Sequence, residues 1–230
     1  MNRFLLSALL SFVVPALASA QVGYTPERSP FRDLEYRQEI SLIGGYYRAS
    51  SDPAGVAPRS GPMIGARYEV RVGGPAQFMA RVARVSSEHQ LLNPASSTNR
   101  DGGIEPQPLY LADIGLSLNL SGQKSWHNTV PVLLAGIGLA STLGSKADSG
   151  GYRFGTGFAF SFGAGVRWVP GGQFELRADI SDHLYRISYP DSYYLAPVGG
   201  GLPVLPLKQP RALYRHNAAL TVGASYLFFR

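Results

Sequence analysis

The sequence has no cysteine, which excludes a disulfide framework, a thiolate metal site and a cysteine nucleophile. Charge is scarce as well: Asp, Glu, Lys and Arg make up 16% of the chain, well under the ~25% usual in soluble domains. Such a chain is too uncharged for disorder, and no linker or break in composition divides it. After Ala20 no apolar run approaches the roughly 20 residues of a spanning helix, so any later entry into a membrane is made by strands. Glycine is plentiful, with 27 residues, but no glycine cluster precedes a helix or a basic phosphate-binding residue, and no nucleotide loop is implied.

The first twenty residues carry the features of an export signal. Asn2 and Arg3 give a polar, positive start, residues 4–18 are apolar, and Ala18-Ser19-Ala20 is a small-residue cleavage site. Pro15 interrupts a run already short for a membrane anchor. A signal peptide over 1–20, exported by the Sec route, is expected, with the mature chain starting near Gln21. The formal charge of +6 falls to +5 when Arg3 is removed (6 − 1 = 5). The basic residues are scattered, and export argues against a nucleic-acid partner.

Period-two alternation is the dominant pattern of the rest. Within 64–72, Ile64, Ala66, Tyr68, Val70 and Val72 alternate with Gly65, Arg67, Glu69 and Arg71; 109–120 repeats the pattern, and 156–168 sets Phe158, Phe160, Phe162, Ala164, Val166 and Trp168 against Gly, Ala, Ser and Arg167. Segments 38–47, 77–85, 130–141, 174–185 and 218–228 read the same way, giving eight strands. The segment 130–141 is the weakest, apolar on both faces and carrying Pro131. Links alternate between short (73–76, 121–128, 170–173) and long (49–61, 87–108, 143–154, 188–211), as an up-and-down barrel demands, with short turns in the periplasm. The fold class is therefore all-β, an antiparallel transmembrane barrel over 38–230 preceded by a periplasmic segment over 21–37.

The same alternation suits a soluble lipocalin-like barrel, so the decision rests on which face is wet. The polar face holds Glu39, Arg67, Glu69, Arg71, Arg81, Asp113, Arg167, Glu175, Arg177 and Asp179 among small residues, which suits a crowded interior with an ion-pair network. The oily face ends in Tyr46, Tyr110, Trp168, Tyr226 and Phe228, as aromatic girdles require. Eight strands enclose an interior that side chains fill, so the lumen charges read as a plug.

On these residues the chain resembles the small eight-stranded outer-membrane barrels of the OmpA and OmpX type. Residues 218–229 resemble the terminal strand recognised by the barrel-assembly machinery, closing in Tyr226-Leu227-Phe228, although Phe229 and Arg230 follow where the usual pattern stops on an aromatic. Residues 154–182 resemble the strand, Gly-Gly turn, strand pair of such barrels. The resemblance implies an outer-membrane location, contact with outer-membrane lipid and lipopolysaccharide, handling by the assembly machinery, and a monomer.

Candidate chemistry is thin. Asp179, Ser181 and His183 share one strand face, at a spacing of ~6.6 Å between neighbours, and suggest a lipid-modifying hydrolase only as a second reading. A narrow conduit for small or hydrophobic solutes is the third. His89, His127 and His216 are isolated and lack acidic partners at ligand spacing, so no metal, cofactor or catalytic residue is assigned. In the last long link, Tyr189, Tyr193 and Tyr194 precede a Gly- and Pro-rich apolar stretch and stand as the candidate contact for an external partner, the other reading being a cap over the barrel mouth. The leading reading is a non-enzymatic envelope protein with a structural or surface-interaction role.

Overall fold

A computed structural model describes residues 29–198 and 200–228; the expected signal peptide, with Phe229 and Arg230, lies outside them. The described residues form β1 (Phe31–Asp33), β2 (Gln38–Arg48), β3 (Gly61–Gly73), β4 (Ala76–Val85), β5 (Glu88–Leu92), β6 (Asp101–Pro106), β7 (Leu109–Asn119), β8 (Lys124–Trp126), β9 (Thr129–Ser141), β10 (Thr156–Gly171), β11 (Phe174–Ser188) and β12 (Ala212–Phe228). Strands β2, β3, β4, β7, β9, β10, β11 and β12 pair antiparallel in that order. The pairing of β12 with β2, from Ala218 opposite Arg48 to Phe228 opposite Gln38, closes them into a barrel. No sheet edge is left open around it, which is what lets strands cross a bilayer with every backbone group paired.

The two faces separate as the alternation requires. Leu42, Ile64, Phe174 and Leu220 are 61–73% exposed on the outer wall, whereas Arg67 and Arg167 inside are 1% and 0% exposed. Phe174, Trp168 and Tyr226 sit at the end nearest the short turns, and Tyr46, Phe158 and Tyr214 toward the long-loop end. Two ladders run further toward the long loops than the oily alternation does: β12 begins at Ala212 and β11 reaches Ser188, while β10 is extended at its short-turn end, to Gly171. Backbone pairing persists where the outward residues have become Arg186, Tyr214 and His216, because water tolerates there what lipid would not.

Pro131 lies on the lipid side of β9, two residues into the strand. Its neighbours Val130, Val132 and Leu134 turn inward and pack with Met79 and Leu227, which accounts for a strand apolar on both faces. Gly138 of β9 lies where the backbone of β7 comes closest: a Cβ there would drive into the Ala112 carbonyl and the Asp113 backbone. Gly74 serves the β3–β4 turn, at φ 50, a conformation costly for other residues.

Several short elements carry no alternation and were not expected from the sequence. The link between β7 and β9 contains β8, which turns back through His127 and Asn128 at φ 47 and 62, the left-handed pair of a two-residue hairpin turn. Strand β1 pairs with β8, so residues 29–37 cross the short-turn mouth as a strap. The Leu34 amide donates to the Gln123 carbonyl (2.9 Å) and Arg71 Nη2 donates to the Leu34 carbonyl (2.7 Å). At the other end, β5 and β6 form a hairpin within residues 86–108.

Close approach at Gly138 predicts that Gly138→Val prevents barrel closure, while Gly73→Ala, whose new Cβ meets open space, is tolerated. Migration on a detergent gel before and after boiling checks this: the first variant should lose the heat-shifted folded band and the second should keep it.

Candidate functional site

Alternation delivers the lumen side chains. Each inward residue on a barrel strand faces inward residues of its neighbours, so Glu39 of β2 lies directly opposite Glu69 of β3, and Arg67 opposite Arg81 of β4. Like charges face each other across these pairs, and the remedy comes from β11 and β10, two and three strands along the wall from β2. Arg177 of β11 donates to Glu39 (2.9 Å) and Asp179 (3.0 Å) and lies 3.4 Å from Glu69. Arg167 of β10 donates to both oxygens of Glu175 (2.9 and 2.7 Å), to Gln77 and Asn119 (3.1 Å each), to the Tyr36 hydroxyl (2.5 Å) and to Glu39. Arg67 lies 3.2 Å from Asp179 and 3.6 Å from Glu69, and Arg81 donates to Asp113 (3.0 Å).

Of the ten charged residues placed on the inner face by sequence, nine gather in this network: Arg67, Arg81, Arg167, Arg177, Glu39, Glu69, Asp113, Glu175 and Asp179. Arg71 departs from it. It sits two residues from the turn, half-buried at the short-turn mouth, where its guanidinium grips the Leu34 carbonyl and stacks over the Tyr36 ring 5.6 Å away. Strap residues that carry no alternation thus take a charge that periodicity assigns to the lumen.

Above the charges, Ser181 and His183 do approach, Oγ to Nε2 at 3.3 Å, but they make no triad. The Asp179 carboxylate is taken by Arg67 and Arg177, and the Ser and His are 3% and 2% exposed inside the barrel. A lipid on the outer wall has a sheet between it and both groups. The Tyr47 and Tyr185 hydroxyls, 2.7 Å apart, close this layer.

The long loops then fill the outer mouth. Tyr189, Tyr193 and Tyr194 are not exposed contacts: they are 5%, 0% and 6% exposed and pack with Val56, Tyr152 and Leu205. The correction has a plain cause. The last loop is long enough to fold back over the mouth, where apolar rings gain burial and their hydroxyls still find acceptors. Asp52 accepts the Val56 and Ala57 amides (2.6 and 2.9 Å) and the Tyr189 hydroxyl; Asp148 accepts the Gly150 and Tyr152 amides (2.9 and 2.8 Å) and the Tyr193 hydroxyl. Burial first, and the Asp148 hydrogen bond second, hold the Tyr193 phenol well above its ordinary pKa, so it stays a donor. Tyr194 donates to the Pro210 carbonyl (3.0 Å) beneath the Arg211 guanidinium. What the loop exposes instead is Leu195, Val198, Leu202 and Leu207.

The outer wall brings together residues that sequence reading either left aside or, for His216, took as isolated. Arg48, Arg84, Arg186 and His216 are exposed on the lipid-side face at the long-loop ends of β2, β4, β11 and β12, with Asp182 among them. The signal that could have found them is the point on each strand where the oily face gives way to charge. Below Asp182 runs an open apolar groove of about 750 Å³, floored by Ala135, Ala164 and Ala218 and walled by Leu116, Phe162 and Ile180.

Because Arg177 bridges Glu39, Glu69 and Asp179, Arg177→Leu should cost about 3–5 kcal/mol by leaving the buried carboxylates one cation short, more than the lipid-facing Leu176→Ala. Denaturant unfolding of the two variants in the same detergent measures the difference, and equal midpoints would contradict the network's role.

No protein-family model and no curated protein matches the sequence. Among solved structures, the chain is similar to the N-terminal β-barrel domain of Pseudomonas aeruginosa OprF, at 11% identity and a TM-score of 0.48 over 84% of this chain and 98% of that one. It is similar to Neisserial surface protein A at 15% identity, TM-score 0.46, over 87% and 98%, and to P. aeruginosa OprG at 9%, TM-score 0.49, over 85% and 98%. At such identities the fold rests on the chain's own strands: a closed eight-stranded antiparallel β-barrel with an apolar outer wall.

Proposed function

We propose that the protein is a non-enzymatic, non-conducting barrel of the outer membrane, a rigid envelope element that presents an ordered cap on the cell surface. One observation carries this reading: the lumen is filled from mouth to mouth. Leu34, Tyr36, Val130, Val132 and Leu227 occupy the periplasmic end, the ion network the middle, and Tyr152, Tyr189, Tyr193 and Leu205 the outer end. An ion crossing it would have to displace arginines and carboxylates that pair with one another, at a cost far above that of staying in water. Solutes therefore have no route, and the buried Ser181 and His183 have no substrate.

The barrel acts as a monomer, since closing β12 on β2 leaves no edge strand to share, and its C-terminal strand is the segment offered to the assembly machinery. Its working surface is the cap. Three loops knit together by Asp52 and Asp148 hold Leu195, Val198, Leu202 and Leu207 outward, an exposed apolar crest on a stiff support, which favours a surface-contact role over a purely structural one.

Planar-bilayer recording and lipid analysis test the reading together. The refolded full chain should give no unitary current steps, and cells expressing it should show an unaltered lipid A mass profile whether Ser181 is present or replaced in Ser181→Ala. Reproducible conductance, or a lipid change lost in Ser181→Ala, would overturn it.

A further inference from the structure

The lipid-facing wall of a barrel should carry no charge, yet here Asp182, the only carboxylate among its described residues, stands within it. Its partners explain how it is tolerated. The carboxylate lies 2.5 Å from His216 Nδ1 on β12 and accepts the Asn217 amide at 2.8 Å. With Nδ1 turned to the acid, Nε2 is the second polar atom of the ring. Arg48 is opposite Ala218 on the neighbouring strand, a diagonal step from His216 and within reach of a long side chain. Among the described residues Arg48 makes no ion pair. Ser50 fastens the end of β2 in this register, its amide donating to Asn217 Oδ1 (3.1 Å) and its hydroxyl to the His216 carbonyl.

Height along the wall gives the cluster its meaning. A strand rising ~3.4 Å per residue and tilted ~40° climbs roughly 2.6 Å per residue. Asp182 lies eight positions above the girdle residue Phe174, and His216 ten above Tyr226, so the cluster stands roughly 21–26 Å above the inner girdle, at the upper edge of an apolar band ~25 Å tall. That is headgroup level in the leaflet next to the long loops. Directly beneath it lies the groove floored by Ala135, Ala164 and Ala218, ending at Asp182.

We propose that Arg48 and His216, with Asp182 steering the imidazole, seat a phosphate of a phosphorylated, multiply acylated glycolipid of that leaflet, and that the alanine-floored groove receives one of its acyl chains. The distribution of charge favours a glycolipid bearing more than one phosphate over a phospholipid with one. Arg186 on β11 and Arg84 on β4 flank the seat, so cations extend across four strand spacings, ~19 Å at ~4.8 Å each. A single phosphodiester engages one point of such an arc, whereas a headgroup with separated phosphates engages several.

Native mass spectrometry of the refolded full chain, mixed in detergent with diphosphorylated lipid A, its fully dephosphorylated form, or phosphatidylglycerol, tests this. Wild type should retain diphosphorylated lipid A above the other two. Arg48→Gln combined with His216→Gln should lower that retention by roughly five- to tenfold while leaving the dephosphorylated form unchanged. Ala164→Leu, which fills the groove and leaves the cations in place, should weaken both glycolipids. Heat-shifted gel migration verifies that each variant is folded, as expected for exposed positions. Equal retention of phosphatidylglycerol and lipid A, or wild-type retention by the folded double variant, would overturn the proposal.

Discussion

Closing eight strands on themselves encloses whatever the inward positions carry, and here they carry four arginines and five carboxylates. Desolvating that many charges is ruinous unless each finds opposite charge within a few ångströms. The requirement shapes the rest of the molecule. Strand register must bring Arg177 across to Glu39 and Glu69, glycine at 138 must let β7 and β9 approach, and the ends must be sealed by apolar layers that keep the network dry. Arg167, bonded to residues from five different segments, is the point where these demands meet.

Much of this was legible from residues alone, because two solvents print themselves on a strand. A face that meets hydrocarbon must be oily and a face that meets a packed lumen must be small or paired, so Phe158, Phe160 and Phe162 against Gly157, Ser161 and Gly163 announce both strand and orientation. The eight barrel strands and nine of the ten lumen charges follow from that single period. Where no such contrast exists, the reading falls short. Strand β1, the β8 hairpin and the β5–β6 hairpin have water on one side and loops on the other, and their pairing depends on partners distant in sequence. The tyrosines of the last loop illustrate the same limit: an aromatic in a long link looks like an outward contact until the depth of the mouth below it is known.

The outer rim was illegible for a different reason. Arg48, Arg84, Arg186 and His216 appear as unrelated basic residues when met in order. They become neighbours only after register aligns the far ends of β2, β4, β11 and β12, which makes them a property of the closed barrel and of no single segment.

The strap across the short-turn mouth has a mechanical consequence. Strand β2 belongs to the seam with β12, yet the chain just before it is stitched through β1 to β8, which hangs from the wall on the far side of the barrel. Prising the seam apart therefore pulls on a tie-rod anchored a full diameter away, and Tyr36 would have to leave Arg167 before β2 could swing free. A barrel braced in this way resists lateral gating at the one joint where its first and last strands meet.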